Sequence, residues 1–341
     1  IFYTERTEID LMCRLSLVDN LANHIGEEHK GLLYEAVFAL EPDEREEADR
    51  HLNEEGLWPA VEERLRNITI VDPACGSGSF LVGMLRILND LLRRAELSQG
   101  KTPEGAYERK THVIGRSLYG VDVMEWACRV AELRLWLSLV VDADFTWEEL
   151  QVRRQALLPN FTFNIRCGDS LVQEFHGINV HQRARHKGLS HSLKSRLGKL
   201  RKAKQAYYEN NPLRDLRTPT AIKNEEVKLF RDMLGERAKR LSEASKRLMR
   251  YEVAKKPRQK TLTGELQAEE ERVLKDREKR QKKIARLKDE QEQVENARRE
   301  LRGVEDLPFV WNVAFAEVME SEAEGFDIVI GNPPYVRREN I

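Results

Sequence analysis

Apolar periodicity along the chain separates two kinds of segment. In the first kind, short β-branched runs alternate with stretches of helical spacing. Ile68 to Val71 ends at Asp72-Pro73, and Phe80 to Leu92 then follows helical spacing. Ser117 to Val121 ends at Asp122 and predicts a second strand, with a helix from about Glu125 to Val140. Phe161 to Arg166, ending near Asp169, predicts a third strand. Phe326 to Ile330, ending at Gly331-Asn332-Pro333-Pro334-Tyr335, predicts a fourth. Strand and helix in alternation argue for an α/β fold with a parallel, doubly wound sheet, whose ligand sites lie at the carboxyl ends of the strands. Polar or acidic residues stand at all four of those ends.

The second kind of segment lies between the third and fourth predicted strands and reads as helix throughout. Val227, Leu234, Leu241 and Leu248 repeat every seven residues, with Phe230, Ala244 and Tyr251 at intermediate seam positions. Leu266, Val273, Leu287, Val294 and Leu301 keep the same period, broken at Arg280. Glu252 to Gly264, with Pro257 and Gly264, suits a turn between them. Two such helices predict an antiparallel hairpin, each burying the other's stripe. A shorter helix, roughly Ser190 to Glu209, stops at Asn210-Asn211-Pro212. The organisation expected is a core over 1–175, a helical coiled-coil insertion over 176–305, and a return to the core over 306–341.

Charge sharpens that division. Of 341 residues 34% are charged and 40% apolar, and the formal net charge is -1. From Arg183 to Arg302, however, about 36 Lys and Arg face about 19 Asp and Glu, and most of the surplus falls before Lys260. An acidic body therefore carries a basic limb. One-signed charge costs self-repulsion unless a polyanion neutralises it, so the basic portion is expected to touch DNA phosphates without reading sequence, or else to serve as a solvated spacer. No apolar run approaches the ~20 residues of a membrane span, and the opening Ile-Phe-Tyr-Thr-Glu-Arg has no signal-peptide pattern. Cys13, Cys75, Cys128 and Cys167 are far apart with no C-x-x-C pair, which supports neither a zinc site nor a disulfide framework. A cytoplasmic protein is expected.

The strongest chemical signal is Asp72-Pro-Ala-Cys-Gly-Ser-Gly-Ser-Phe80. Its glycines permit a tight turn and close backbone approach, with a helix N-terminus behind them. A phosphate cradle would use G-x-x-x-x-G-K-[ST], and no lysine is present. An acidic residue opening the loop repels phosphate but can pair with an ammonium group, so the implied ligand is cationic.

This loop together with Asn332-Pro333-Pro334-Tyr335 resembles the amino-group DNA methyltransferases, specifically gamma-class N6-adenine enzymes of restriction-modification systems. Phe2-Tyr3-Thr4 resembles their N-terminal cofactor motif, with Glu5 where the family usually has proline. Pro308-Phe-Val-Trp-Asn, with Phe315 and Glu317-Val318, is similar to fused restriction-methylation enzymes of type IIG. The resemblance implies a class I S-adenosylmethionine-dependent methyltransferase, Rossmann-like, with strand order 3-2-1-4-5-7-6. It implies S-adenosylmethionine as cofactor, bound by Tyr3, Thr4, Asp72, Ala74, Gly76, Gly78, Asp122 at the ribose hydroxyls, and Asp169 with Ser170 beside the adenine ring. It implies catalysis by Asn332, Pro333, Pro334 and Tyr335, with no metal.

The chemistry of those residues agrees. Adenine's exocyclic amine is a poor nucleophile because its lone pair is delocalised into the ring. An Asn side-chain oxygen and the Pro333 carbonyl, both accepting from that amine, localise the lone pair and aim it. Two prolines stiffen the loop, and Tyr335 offers a face for a base swung out of the duplex. Direct displacement needs no covalent enzyme intermediate, so Cys75, Cys128 and Cys167 are expected to pack, as are Trp126 and Trp136.

The expected partner is double-stranded DNA, with no membrane. Two alternatives stay open: methylation of an RNA base or a protein glutamine, and an inactive methyltransferase-like scaffold that binds DNA or partner subunits. Only four of the family's strands can be found, so the chain is expected to be a fragment. Residues after Ile341, from a C-terminal half with a target-recognition domain or from partner restriction subunits, would then complete catalysis.

Overall fold

A computed structural model of the chain describes residues 4–142, 160–171, 174–175, 178–179, 190–254, 265–301, 309–319 and 325–333. It divides into two compact units, one of 1–172, 201–219 and 314–341, the other of 173–200 and 220–313.

The first unit opens with four helices that the strand-helix alternation does not anticipate. They are α1 (Arg6–Ile25), α2 (Lys30–Phe38), α3 (Pro42–Glu54) and α4 (Trp58–Asn67). Glu5, the residue that departs from the family's proline, is the N-cap of α1 and forms a reciprocal capping box with Glu8. Behind these helices run β1 (Ile70–Asp72), α5 (Ser79–Ser98), α6 (Ala106–Ser117), β2 (Leu118–Asp122), α7 (Glu125–Val140) and β3 (Ile165–Cys167).

β1 is buried along its whole length, as a strand covered on both faces must be. α5 follows it and buries Phe80, Leu81, Met84, Leu85, Leu88 and Leu92 at helical spacing. Arg94, also buried on α5, is neutralised in place by Asp49 of α3 at 2.6 Å and donates to the Ala36 carbonyl of α2 at 2.7 Å. That satisfaction is what permits a guanidinium inside the core.

The third strand is shorter than its apolar run. Phe161 and Phe163 are buried, but Asn164 turns its Nδ2 onto the carbonyls of Ile114, Gly115 and Leu118 at 3.1–3.2 Å. Those carbonyls lie where α6 hands over to β2, and the backbone joins the ladder only from Ile165.

β4 (Glu174–Phe175) and β5 (Ile178–Asn179) form a separate antiparallel pair, and β6 (Ile328–Val329) completes the main sheet. β1 pairs in parallel with β2, Ile70 opposite Leu118, and with β6, Ile70 opposite Ile328. β2 pairs with β3, Gly120 opposite Ile165, so the order is β3-β2-β1-β6. Asp327 fastens β6. Its Oδ2 accepts from the Thr69 N–H and hydroxyl at 2.8 and 2.9 Å, and Oδ1 meets Arg64 at 2.7 Å. Burial would raise this carboxyl's pKa, but Arg64 and Thr69 hold it below its ordinary value.

The second unit holds the long helices. α8 (His191–Tyr208) places its residues to Leu200 there and the rest in the first unit. α9 (Pro219–Ala254) and α10 (Glu265–Glu300) have 36 residues each. Val227, Phe230 and Leu234 are buried on α9, and Val294 on α10 with Leu301 just past it. Leu241, Ala244, Leu248 and Leu287 are only half-buried, while Ile284, off the heptad series, is buried. Gly235 faces Arg298, and Arg237 pairs with Glu290 at 2.7 Å, so partner numbers run in opposite senses along the two helices. Residues 255–264, where the turn is expected, and the side chains of Tyr251, Leu266 and Val273 lie outside the described residues. The two short helices α11 (Trp311–Ala314) and α12 (Ala316–Met319) precede β6. Among the described residues no helix is long and apolar enough to cross a membrane.

Candidate active site

The site grows from the carboxyl ends of β1, β2, β3 and β6. At the end of β1, Asp72 is 1% exposed and accepts the Ala74 N–H at 3.0 Å. The chain then turns sharply, with Gly76 at φ +50° and Gly78 at φ +75°. Both lie in the left-handed region that costs a side-chain-bearing residue roughly 1–2 kcal/mol. Gly78 is doubly constrained, because a β-carbon there would stand 3.0 Å from Ala131 of α7.

Asp122, at the end of β2, ties the loop to the second strand. Its Oδ2 accepts the Gly76 N–H at 2.9 Å and its Oδ1 the Met124 N–H at 2.8 Å. The Cys75 N–H donates to the Val121 carbonyl at 2.8 Å. Cys75 packs beneath the loop as expected, and burial pushes its thiol pKa up strongly. Cys128 is likewise buried, its thiol pushed up to about 12 by burial. Cys167 is exposed, contrary to expectation, because it ends β3 as the chain leaves the sheet. Trp126 is also misplaced by the sequence reading: at 55% exposure it lies on the outer face of α7, whereas Trp136 packs against the core. Helical spacing from Glu125 sends position 126 outward and position 127 in.

Asp169 follows β3. Its Oδ1 accepts the Leu171 N–H at 2.9 Å, and the neighbouring Gly168 N–H donates to the Asp122 carbonyl at 2.8 Å. Ser170 is half-buried beside it.

Beyond β6 the backbone passes so close to β1 that a β-carbon at Gly331 would meet Asp72 Oδ1 at 2.5 Å. This glycine is required by that approach, and it sets Asn332 beside the glycine loop. Asn332 is half-buried, and its Nδ2 donates to Thr4 Oγ1 at 3.0 Å. Pro333 is exposed. Asp72, Ala74, Gly76, Gly78, Asp122, Asn332 and Thr4 thus share the strand ends, with Asp169 and Ser170 one strand further out. Tyr3, Pro334 and Tyr335 lie outside the described residues.

Burial pushes the Asp72 carboxyl up to about 7; the Ala74 N–H pulls the other way and the Asp122 carboxylate adds to the rise. An acid so desolvated and so near a second acid is stabilised by a cation. Two acidic groups bracketing a glycine turn, with open backbone approach on one side, fit a ligand that carries an ammonium group and vicinal hydroxyls.

The sequence reading missed Arg134. From α7 its Nη1 donates to the Ser77 carbonyl, Ser77 Oγ and Ser79 Oγ at 2.9–3.0 Å, which pins the far side of the glycine loop. Burial and the nearby Arg86 and Arg6 lower its pKa. No local motif marks it, since it acts across 55–57 residues of sequence.

Comparison with known proteins adds to this geometry. The family model described as Eco57I restriction-modification methylase matches residues 116–341. A type II restriction enzyme and methyltransferase of Methanocaldococcus jannaschii is 29% identical over 300 residues, 80% of this chain and 22% of that protein. DNA methyltransferase A of Bacillus subtilis is 31% identical over 116 residues, 33% of this chain and 13% of that protein. The chain therefore spans less than a quarter of the length of either relative. No solved structure gives a significant match.

Proposed function

The chain belongs to the Eco57I restriction-modification methylase family, and from that premise we propose that it carries the cofactor loop and acceptor loop of an S-adenosylmethionine-dependent methyltransferase acting on adenine N6 in double-stranded DNA. The observation that carries this reading is the approach of Gly331 to Asp72, which brings Asn332 to the same strand ends as the loop held by Asp122. The strand order β3-β2-β1-β6 supports a class I methyltransferase sheet. The names of the two relatives support DNA as substrate.

In this reading Asp72 faces the cofactor's ammonium and Asp122 its ribose hydroxyls. Asp169 and Ser170 flank its adenine, and Ala74, Gly76 and Gly78 let the backbone approach. Tyr3 is assigned to the same cofactor by its motif, and Thr4 bridges to the acceptor loop. The cofactor supplies an electrophilic methyl group on a sulfonium sulfur. Thr4 Oγ1 occupies the amide nitrogen of Asn332, so Asn332 Oδ1 is left to accept from the target amine. Asn332 Oδ1 and the Pro333 carbonyl together hold the two amine protons, restoring lone-pair density to nitrogen and aiming it. Pro334 stiffens the turn, and Tyr335 stacks the extruded base.

A pH dependence follows from Asp72. The ammonium requires the ionised carboxylate, whose pKa in the free protein stands at about 7. Protons compete below that value, so cofactor affinity rises with pH up to about 7 and then levels. At pH 6 it is expected to be about tenfold weaker than on the plateau. Calorimetry between about pH 5.5 and 8 checks this. Asp72→Asn should bind weakly with no slope over that range, and a slope retained in Asp72→Asn would assign the titration to another group.

Incubation of this chain in its native polypeptide with methyl-labelled cofactor and, separately, duplex DNA, RNA or protein tests the function as a whole. Label in duplex DNA supports the proposal. Label in RNA or a protein glutamine, or binding of DNA with no transfer to any of the three, refutes it.

A further inference from the structure

Most acids of α9 are spent inward. Glu225 and Asp232 of α9 together clamp Arg196 of α8 at 2.7 and 2.6 Å, and Glu236 accepts the Ser190 N–H at 3.1 Å. Glu226 is buried. What α9 leaves on its outer face is basic: Lys228, Lys239, Lys246, Arg247 and Arg250 are all exposed, and none pairs with a carboxylate among the described residues. Arg240 is exposed beside them and, among the described residues, reaches the Glu236 carbonyl at 3.5 Å.

These positions are ordered. At 100° per residue, Lys228, Lys239, Lys246 and Arg250 fall within about 40° of one another, about 80–160° round the helix from buried Leu234, Ala238 and Ser245. Arg240 and Arg247 form a second row about 80–100° round the helix. From 228 to 250 the stripe is about 33 Å long, close to one turn of duplex DNA. Glu243 is the acid exposed within it. Like charges so aligned repel one another by a few tenths of a kcal/mol per neighbouring pair, a cost that a polyanion laid along the row turns into attraction.

We propose that this outer face of α9 is a docking surface for the sugar-phosphate backbone of duplex DNA. The proposal rests on the DNA-methylase reading only for the identity of the polyanion. Lys228, Lys239 and Lys246 of the main row act as point charges against phosphates, and with no Asn or Gln fork between 228 and 250 the row is suited to backbone contacts that do not read sequence. Its role is to raise the local concentration of duplex and to lower the apparent KM, while the acceptor loop sets kcat.

The test is equilibrium binding of the chain to two duplexes of unrelated sequence between about 50 and 200 mM salt. Wild type is compared with the triple variant Lys239→Gln, Lys246→Gln and Arg250→Gln. Each lost phosphate contact should reduce the log-log salt slope by about 0.9, up to about 2.7 for three, equally for both duplexes. A control variant, Arg50→Gln and Arg93→Gln, exposed but paired with Glu54 and Asp90 in the first unit, should keep the wild-type slope, and circular dichroism should show unchanged helicity in each. An unchanged slope in the triple variant overturns the proposal and leaves the methyltransferase reading standing. A loss confined to one duplex, or tighter salt-dependent binding to polyglutamate than to DNA, overturns it too. Wild type that binds no duplex at all overturns both readings together.

Discussion

Asn332→Ala is expected to reduce methyl transfer by roughly a hundred- to a thousandfold, the range found when one preorganised partner of a developing charge is removed, with cofactor affinity within about twofold of wild type. The separation follows from where Asn332 stands. It lies three residues after β6, held by Thr4 rather than by the glycine loop, and none of its described hydrogen bonds reaches Asp72 or Asp122. Deleting it removes an acceptor for the target amine and leaves the cofactor's carboxylates in place. Thr4→Val should show a smaller fall, about five- to tenfold, because the amide then loses its anchor but keeps its oxygen. Single-turnover rates with calorimetry separate the two quantities. Transfer by Asn332→Ala at the wild-type rate would remove this residue from the chemistry, and a collapse of cofactor affinity would move it into the cofactor pocket.

Asp122→Ala is expected to weaken cofactor binding by about a hundredfold or more. Both carboxylate oxygens already accept backbone N–H groups, from Gly76 and Met124. A hydrogen bond to a charged group is worth roughly 1.5–3 kcal/mol, and leaving its donor unpaired costs a similar amount. The alanine therefore frees the turn at Gly76, whose φ of +50° is held by that bond, and removes the acceptor for the ribose hydroxyls. Asp122→Asn keeps one acceptor oxygen and should lose less. Calorimetry on both variants is the check: unchanged affinity in Asp122→Ala would take the residue out of the site and leave it a loop brace.

What the sequence reveals, and what it hides, divides along physical lines. The helix over α7 is legible to its ends, Glu125 and Val140, because apolar spacing and flanking residues agree. The carboxyl-end acids are legible because a strand must stop where its pattern stops. The four leading helices escape the alternation, since α3 is dominated by charged residues that reveal little face, and α1 declares itself chiefly through the Glu5–Glu8 cap. β3 is misjudged by several residues because Asn164 serves three carbonyls of a neighbouring segment, a tertiary demand with no local signature. Arg134 and the Arg64–Asp327 pair are hidden for the same reason. On the limb, the heptad series finds the helices but not the depth of each position. Leu241 and Leu248 stay half-exposed, while Ile284 is buried outside the count. A period tells which residues share a face; it does not tell how far along the helix a partner continues.

In the proposed function the glycine loop and the Asn332 loop serve one reaction, methylation of an adenine amine in DNA. The most direct measurement is a nucleoside digest of duplex DNA treated with methyl-labelled S-adenosylmethionine and this chain in its native polypeptide, separated by chromatography. The label is expected to elute as N6-methyldeoxyadenosine and to disappear with Asn332→Ala. Label in N4- or C5-methyldeoxycytidine, or in the protein fraction, would contradict it.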